Sequence, residues 1–312
     1  MNLQQLRYVA KVVRCGLNIS EAAQQLDTSQ PGVSKQIAAL EEELGLQVFM
    51  RRGKRLLGLT PPGERLLPII KVILHQLDNL KRVSDEFHNE TEGEISIATT
   101  HTQARYVLPL IIERFRKRYP NVRVCLKQGN PRQVGQWIIN GEADVGIATD
   151  AIGQTDGLIT LPCYSWHHCV IAPLGHPILE TDNPPLQKLA QYPLITYDDT
   201  ITGGAAIHQV FVEHDITPNI ALSALDADVI KTYVEMGMGI GIVASMAYDP
   251  EYDTRLGSCS LAHIFPASVT KVGLAQGTFL RRYVIDFVSL LAPEMDIQTL
   301  QSTLAGDLSD TD

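Results

Sequence analysis

The chain has 312 residues, 45% of them hydrophobic and 20% charged, with a net charge of −9. This length allows two domains, and the negative charge makes the chain as a whole a poor generic binder of nucleic acid. The first residues lack the apolar core of a signal peptide, and no apolar run approaches the roughly 20 residues of a membrane span. We therefore expect a cytoplasmic protein.

The first sixty residues differ in charge from the rest. They contain eight Lys and Arg against five Asp and Glu, so a basic module precedes an acidic body. Leu3, Leu6, Val9, Ala10 and Val13 recur with the spacing of one helical face and predict a first amphipathic helix.

Two short helices joined by a tight turn follow. Ser29 is a good N-cap for the second helix, and Pro31 fits a first turn whose N–H groups have no partner. Val33, Ile37 and Leu40 then mark its apolar face.

The opposite face of the second helix carries hydroxyl and amide groups and one cation. Such side chains read base edges or hold phosphates when a helix lies in the major groove of DNA. The predicted DNA contacts on it are Ser29, Gln30, Pro31, Ser34, Lys35 and Gln36. An ordinary helical hairpin with a solvated face would show the same pattern.

A basic hairpin is predicted next, in the segment VFMRRGKRLLGLT. Gly53 stands among four cations, of which Arg51, Arg52 and Lys54 are the predicted phosphate contacts. A solvated surface loop is the alternative, but the neighbouring helix-turn-helix favours a wing that binds DNA.

Residues 64–88 form one long helical pattern with an apolar seam in steps of three and four. The seam consists of Leu66, Ile70, Ile73, Leu77, Leu80, Ser84 and Phe87. It predicts a pairing of two such helices in a dimer, which would present two recognition helices to a symmetric operator. Pro68 kinks or delays this helix, and the polar residues 88–93 are the predicted hinge.

The remaining chain alternates between strands and helices, which predicts an α/β domain with a mostly parallel sheet. The predicted strands are 93–100, 122–129, 143–149, 193–197, 220–224 and 239–245. Residues 158–173 would cross to a second lobe and residues 271–291 would return. Two lobes around a cleft are the architecture of periplasmic binding proteins. The last seven residues are expected to be disordered.

Polar turns point to a ligand site in that cleft. A strand runs directly into a helix at Thr99–Gln103, where free N–H groups and hydroxyls favour an anion. Thr149 ends another strand and should open onto the same crevice, and residues 201–204 form a glycine-rich turn of the other lobe. Each threonine alone could be an N-cap and nothing more.

The pattern AAxxLxxSQPxxSxxIxxLExxLGxxxFxR, from Ala22 to Arg51, closely resembles the N-terminal signature of the LysR-type transcriptional regulators. The resemblance implies a winged helix-turn-helix, a linker helix and a two-lobed effector domain. The expected boundaries are 1–60, 61–92 and 93–312, with lobe I over about 93–161 and 267–295, and lobe II over about 162–266.

Three further segments resemble the CysB-like, cysteine-regulon activator group of this family: ATTHTQARYVLP, DADVIKTYVEMGMGIGIVASMA and TFLRRYVIDF. The resemblance implies that a sulfate or an acetylserine carboxylate is held by Thr100, Thr102, Gln103, Thr149 and Thr202. The chain departs from the group at Gly204, where a cation often stands. Asp198 and Asp199 would disfavour a dianion if they faced the pocket.

The resulting hypothesis is a regulator of sulfur assimilation and cysteine biosynthesis genes that responds to acetylserine, sulfate or thiosulfate. The alternative is a sister regulator of sulfonate and sulfate-starvation genes that senses adenylyl sulfate. The expected partners are double-stranded promoter DNA, a small anionic effector, RNA polymerase, and further copies of the chain in a dimer of dimers. No membrane partner is expected.

An enzyme is not expected, because no G-x-S-x-G, HExxH or Walker A motif occurs. His101 is better explained as a framework histidine than as a general base. No cofactor and no metal are expected, since His167 and His168 lack further ligands. The five cysteines are scattered without a CxxC pair, which favours a reducing compartment over a disulfide framework.

Overall fold

The structure is a computed structural model that describes residues 1–53, 55–88, 91–199 and 202–293. Lys54, part of the predicted hinge and the seven terminal residues expected to be disordered lie outside this range. Contacts divide the chain into two compact units, residues 1–85 and residues 86–312. None of the described helices is both long enough and apolar enough to cross a membrane.

The first unit begins with three helices, α1 (Leu3–Arg14), α2 (Ile19–Gln25) and α3 (Gln30–Leu44). The Ser29 hydroxyl accepts the Gly32 N–H at 3.2 Å, so its predicted role as the N-cap of α3 is confirmed. Gly45 caps the C-terminal end of helix α3, and its left-handed backbone (φ 66°) favours glycine.

A two-stranded antiparallel hairpin follows, as predicted for the wing. Strand β1 (Phe49–Arg52) pairs with β2 (Arg55–Leu59), and Gly53 has a φ of 63° in the turn. Phe49 and Leu56 are buried against the helices, so one side of the hairpin belongs to the core.

Helix α4 (Pro61–His88) begins three residues earlier than predicted, because proline is well suited to a first helical turn. Its first half packs on the core of the first unit, where Ile70 is 3% exposed. The predicted seam therefore does not act as one continuous surface for a partner helix. The first residues of the seam pack within the core of the first unit, whereas Leu80 and Phe87 are exposed.

The described part of the second unit contains ten strands in two five-stranded sheets. The strands are β3 (Gly93–Thr99), β4 (Val122–Gln128), β5 (Val145–Thr149), β6 (Leu158–Trp166), β7 (His168–Pro173), β8 (Leu194–Tyr197), β9 (Ile220–Ala224), β10 (Ile240–Ala244), β11 (Leu256–Ser260) and β12 (Ser268–Ala275). The helices around them are α5 (His101–Tyr106), α6 (Leu108–Arg118), α7 (Pro131–Ile139), α8 (Leu186–Leu189), α9 (Thr202–Glu213), α10 (Ala227–Glu235) and α11 (Arg282–Leu291).

Each sheet forms one lobe, in the order β4-β3-β5-β12-β6 for lobe I and β11-β7-β10-β8-β9 for lobe II. Three neighbouring strands in each sheet run parallel, but the other pairs are antiparallel. The prediction of a mostly parallel sheet is therefore wrong. The chain crosses from lobe I to lobe II at His167 and returns before β12. The first strand after each crossing, β7 in lobe II and β12 in lobe I, runs antiparallel to the three parallel strands of its sheet.

Candidate DNA-binding surface and effector cavity

The predicted DNA-contacting residues of α3 lie away from its buried face. Ser29, Gln30, Pro31 and Lys35 are exposed, while Ser34 and Gln36 are half-buried. Val33, Ile37 and Leu40 are fully buried on the other side of the same helix. The structure thus leaves the polar face of α3 accessible to a groove of DNA.

Arg51 in the wing is engaged in an ion pair within the protein. Its guanidinium lies 3.0 Å from the Glu41 carboxylate, which is 3% exposed and also accepts the Val48 and Phe49 N–H groups. Arg51 therefore pairs with a buried carboxylate although its own side chain is 30% exposed, and Arg52 and Arg55 are exposed as well. Nothing in the local sequence indicated that Glu41 would be buried.

A cavity of about 520 Å³ lies between the two sheets of the second unit. Four of the five predicted ligand residues line it: Thr100, Thr102, Gln103 and Thr149. The side chain of Thr202 lies outside the described part of the chain, but the adjacent Gly203 lines the cavity from lobe II.

Thr100 and Thr149 each stand at a helix N-cap position, before α5 and before a short 3-10 helix. Neither hydroxyl makes a capping hydrogen bond. The explanation of these two threonines as N-caps alone therefore does not hold, and both residues line the cavity.

Gln103 is 1% exposed, and its amide is already engaged within lobe I. Its Nε2 donates to Thr270 at 3.2 Å, its Oε1 accepts from the Tyr164 hydroxyl, and Thr270 also accepts from Trp166 Nε1. This network stiffens the cavity wall. Because both ends of its amide are engaged, Gln103 helps to fix the wall of the cavity and is not free to donate a new hydrogen bond to a ligand.

Models of two protein families match the chain. The family described as "Bacterial regulatory helix-turn-helix protein, lysR family" matches residues 3–64, and "LysR substrate binding domain" matches residues 88–296. The chain belongs to the LysR family of transcriptional regulators. Its prediction as a regulator and not an enzyme is confirmed by this membership.

Several relatives of this LysR regulator align over almost their whole length. The transcriptional regulator SsuR of Burkholderia cenocepacia is 50% identical over 95% of this chain and 96% of its own. CysB of the same organism is 47% identical over 98% of both chains, and cbl of Escherichia coli is 42% identical over 96% and 95%. These identities confirm the predicted resemblance to the CysB-like group.

Solved structures also resemble this LysR regulator. The cofactor-binding domain of the Cbl transcriptional regulator matches with a TM-score of 0.65 and 38% identity, over 69% of this chain and 94% of its own. Full-length OxyR C199D from Pseudomonas aeruginosa matches with a TM-score of 0.69 over 95% and 99%, and at 19% identity it shows the fold alone.

Helix α5 of the LysR regulator joins the two lobes beside the cavity. The Tyr106 hydroxyl donates to Asp228 of lobe II at 2.7 Å, and Thr102 of α5 and Tyr197 of lobe II both line the cavity. Arg105 lies 3.4 Å from the same carboxylate, and Tyr106 packs against the core of lobe II. These contacts hold the lobes together on one side of the cavity.

Asp228 is stabilised as the carboxylate at this junction. Burial would raise its pKa, but the hydrogen bond from Tyr106 and the charges of Lys231 and Arg105 outweigh burial, so the pKa lies below its ordinary value. Burial and the neighbouring Asp228 together raise the pKa of Tyr106 far above the ordinary range. Tyr106 therefore remains the proton donor of the pair.

The lining of the cavity is poor in cationic groups. Among the described residues that line it, none is Lys or Arg, and Asp226 is an acid. Asp198 and Asp199, the acids that raised doubt about a dianion, are not in the described lining. His101, Asp226 and Asp228 lie close enough together to hold a divalent ion, although Asp228 is already engaged with Tyr106 and two cations.

Sequence reasoning missed several residues of the site. Asp226, Tyr197 and Trp166 line the cavity, as do the amide side chains at the start of α7. Only Asp226 carried a local signal, because an aspartate before an amphipathic run predicts a helix start at a possible ligand site. The others reach the cavity through strand pairing that the sequence does not display.

Proposed function

We propose that this LysR regulator controls genes of sulfur assimilation and cysteine biosynthesis by binding a small anionic effector between its lobes. The full-length likeness to CysB and SsuR supports the biological role. The observation that carries the effector site is the cavity itself, which gathers Thr100, Thr102, Gln103 and Thr149 on one wall.

Promoter DNA is the macromolecular partner that we propose for the first unit. Solved regulators of this fold include CbnR, which was determined in a complex with its target DNA. The exposed side of α3 would enter the major groove, with Lys35 and Gln36 as its base contacts, and Arg52 would lie along phosphates. Lys54 remains a proposed phosphate contact because of its position in the sequence, next to Gly53 and among the other cations.

We further propose that the regulator acts in the cytoplasm as a dimer of dimers and contacts RNA polymerase at its promoters. Effector binding can alter DNA binding only if the ligand binds one quaternary state more tightly than another. The contacts of α5 across the lobes are the route by which an occupied cavity would bias that equilibrium.

The effector site is tested by calorimetry of the full-length protein with sulfate, thiosulfate, acetylserine and adenylyl sulfate. Thr100→Val keeps the branched shape and removes the hydroxyl, and Thr202→Val does the same in lobe II. Hydrogen bonds to a charged acceptor contribute about 1.5–3 kcal/mol, so each variant should bind its effector about tenfold more weakly or worse.

Thr217→Val, at an exposed loop position outside the cavity lining, is the matched control and should bind normally. Unchanged affinity in both Thr100→Val and Thr202→Val would place the ligand elsewhere and contradict the proposed site. Operator footprinting of a Lys35→Ala, Gln36→Ala double variant tests the DNA-binding face separately, with an expected loss of about 1–3 kcal/mol for a good base contact.

A second candidate is a regulator of sulfonate and sulfate-starvation genes that senses adenylyl sulfate. The cavity can accommodate this ligand, because about 520 Å³ is in the range of pockets for organic ligands and not of one inorganic anion; acetylserine would fit by the same measure. The candidates are separated by asking whether acetylserine or adenylyl sulfate changes the operator footprint at equal saturation.

A further inference from the structure

Two polar side chains meet beside the cavity from opposite lobes. His101 is the first residue of α5 in lobe I, and Asp226 is the N-cap of α10 in lobe II. Both line the cavity. A ring nitrogen of His101 and carboxylate oxygens of Asp226 and Asp228 lie within 4.8 Å of one another.

Both side chains retain hydrogen-bonding capacity. One Asp226 oxygen accepts the Val229 N–H at 2.9 Å, and its other oxygen has no partner in the described part of the chain. His101 Nδ1 is a buried atom without a hydrogen-bond partner there. Because buried polar atoms are normally paired, this nitrogen indicates a partner that arrives with the ligand.

Asp228 does not share this capacity, although it is near. Its oxygens are engaged by the Tyr106 hydroxyl at 2.7 Å and by Arg105 at 3.4 Å, and Lys231 lies at 3.7 Å. Asp226 is therefore the acid that is available to the cavity.

The charge around the cavity limits which ligand can use this acid. A bare dianion would gain no Lys or Arg from the described lining and would be repelled by Asp226 in a site of reduced dielectric. A ligand group that donates a hydrogen bond would instead be attracted to the carboxylate, and a charged acceptor strengthens such a bond.

We propose that His101 and Asp226 form a second subsite, which binds a hydrogen-bond donor of the effector. The effector is then a molecule with an anionic group at one end and an ammonium, amide N–H or hydroxyl group at the other, and not a bare inorganic oxyanion. The inference rests on the proposed function for the first subsite, where Thr100 and Thr149 hold the anionic group.

The test uses a matched pair of ligands. O-Acetylserine carries an ammonium group, and 3-acetoxypropionate is the same molecule without it; sulfate serves as the bare oxyanion. Calorimetry of the full-length wild-type protein should show that O-acetylserine binds at least tenfold more tightly than 3-acetoxypropionate and more tightly than sulfate.

Asp226→Asn removes the charge and keeps an N-cap side chain of equal quality for α10. The variant should lose the preference for O-acetylserine over 3-acetoxypropionate, while its affinity for sulfate stays equal or rises. His101→Gln should weaken O-acetylserine in the same selective manner. Asp199→Asn removes an exposed acid outside the cavity lining and should retain the preference.

Several outcomes would overturn the subsite. The first is an unchanged preference for O-acetylserine in Asp226→Asn, and the second is an equal loss of affinity for all three ligands in that variant. The third is wild-type binding that a metal chelator abolishes, because Asp226 would then be a metal ligand. If Thr100→Val still weakens binding in those cases, the proposed effector cavity stands and only the second subsite fails. If the wild type binds none of these ligands or adenylyl sulfate, the proposed effector class fails together with the subsite.

Discussion

At the scale of single residues, two buried ionisable side chains are accommodated in opposite ways. Glu41 is 3% exposed, and its carboxylate accepts two backbone N–H groups and pairs with Arg51. His168 is 1% exposed and neither ring nitrogen has a partner in the described structure. It lies edge-on to Trp166 and Phe265, so it packs as an apolar ring.

Arg51→Ala tests the first of these arrangements. The change removes the cation from the buried Glu41 carboxylate. Because the Arg51 side chain is 30% exposed, we expect a loss of about 1.5–3 kcal/mol, as for a hydrogen bond to a charged group, and not the larger cost of a fully buried pair. Arg52→Ala, at the neighbouring exposed position, should change the free energy of unfolding by less than about 0.5 kcal/mol. Urea denaturation measures both, and equal stabilities of the two variants would show that Arg51 is not a structural residue.

Arg52→Ala should act on DNA instead. Loss of one phosphate contact lowers affinity on all sequences and reduces the salt dependence of binding by about one unit of slope. Fluorescence anisotropy over a salt series, with operator and unrelated duplexes, measures this. A loss confined to the operator would assign Arg52 a base contact.

His168 predicts a dependence of stability on pH. Burial lowers its pKa from 6.5 to about 4, so the folded chain holds this ring neutral where the unfolded chain protonates it. The resulting loss of free energy of unfolding is absent above pH 7, grows as pH falls below 6.5 and reaches its maximum below pH 4. Between pH 7 and pH 5 it amounts to about 2 kcal/mol.

His168→Phe removes the titrating group and keeps a flat ring between Trp166 and Phe265. The variant should therefore lose less free energy of unfolding than the wild type between pH 7 and pH 5. Urea denaturation at both pH values provides the comparison. Parallel losses in the two proteins would show that other groups cause the acid sensitivity.

At the scale of elements, α4 divides its apolar residues between two roles. Ile70 is buried in the core of the first unit, and Leu66, Ile73 and Leu74 pack against that core. A second set is exposed along the helix, at positions Ile69, Val72, Leu80 and Phe87. Their spacing is compatible with one helical stripe, in which Leu80 and Phe87 belong to the predicted seam. We therefore expect a partner helix to use this exposed stripe and not the first half of the seam.

Leu80→Asp tests this exposed stripe. Leu80 is 67% exposed in the single chain, so the change should leave the protomer folded. If a second α4 covers Leu80 in the dimer, the buried charge costs several kcal/mol and dissociates it. Light scattering should show a lower mass, with operator affinity lost in parallel.

Lys71→Asp is the matched control, because nine residues along a helix place it opposite Leu80, at an exposed position. It should keep the mass of the wild type. If Leu80→Asp also keeps that mass and binds the operator normally, α4 does not pair along this stripe.

At the scale of the whole molecule, the division into two units predicts how the chain can be cut. The second unit begins at Glu86, within the last turn of α4. The Glu86 carboxylate lies 3.4 Å from Arg281, which is only 8% exposed, and it accepts the Arg282 N–H at 3.2 Å. These contacts belong to the effector domain, although Glu86 stands in the linker helix.

A fragment of residues 86–312 should therefore be more stable than the fragment 93–312. The shorter fragment lacks Glu86 and leaves a largely buried guanidinium without that carboxylate, a change of the kind that costs about 3–5 kcal/mol when a pair is fully buried. Thermal unfolding should show the lower melting temperature for 93–312. Glu86→Gln in the longer fragment isolates the charge, and equal melting temperatures in all three proteins would contradict the prediction.

The amino-acid sequence by itself determined the DNA-binding module of this LysR regulator. Its helices, the Ser29 cap and the hairpin around Gly53 depend on residues within one or two turns of each other, where helical periodicity and capping act. The threonines of the cavity were also accessible to sequence reasoning, because Thr100 and Thr149 stand where strands end.

Only the tertiary structure decided which polar groups are engaged within the protein and which remain available for hydrogen bonds to a ligand. Gln103 meets Thr270 across 167 positions of sequence, and Tyr106 meets Asp228 across 122. Pairings at such separations form only after the chain has passed into lobe II and, for Thr270, returned to lobe I, and no local propensity encodes them. For the same reason the antiparallel half of each sheet, the burial of Glu41 and the meeting of His101 with Asp226 became visible only in the folded chain.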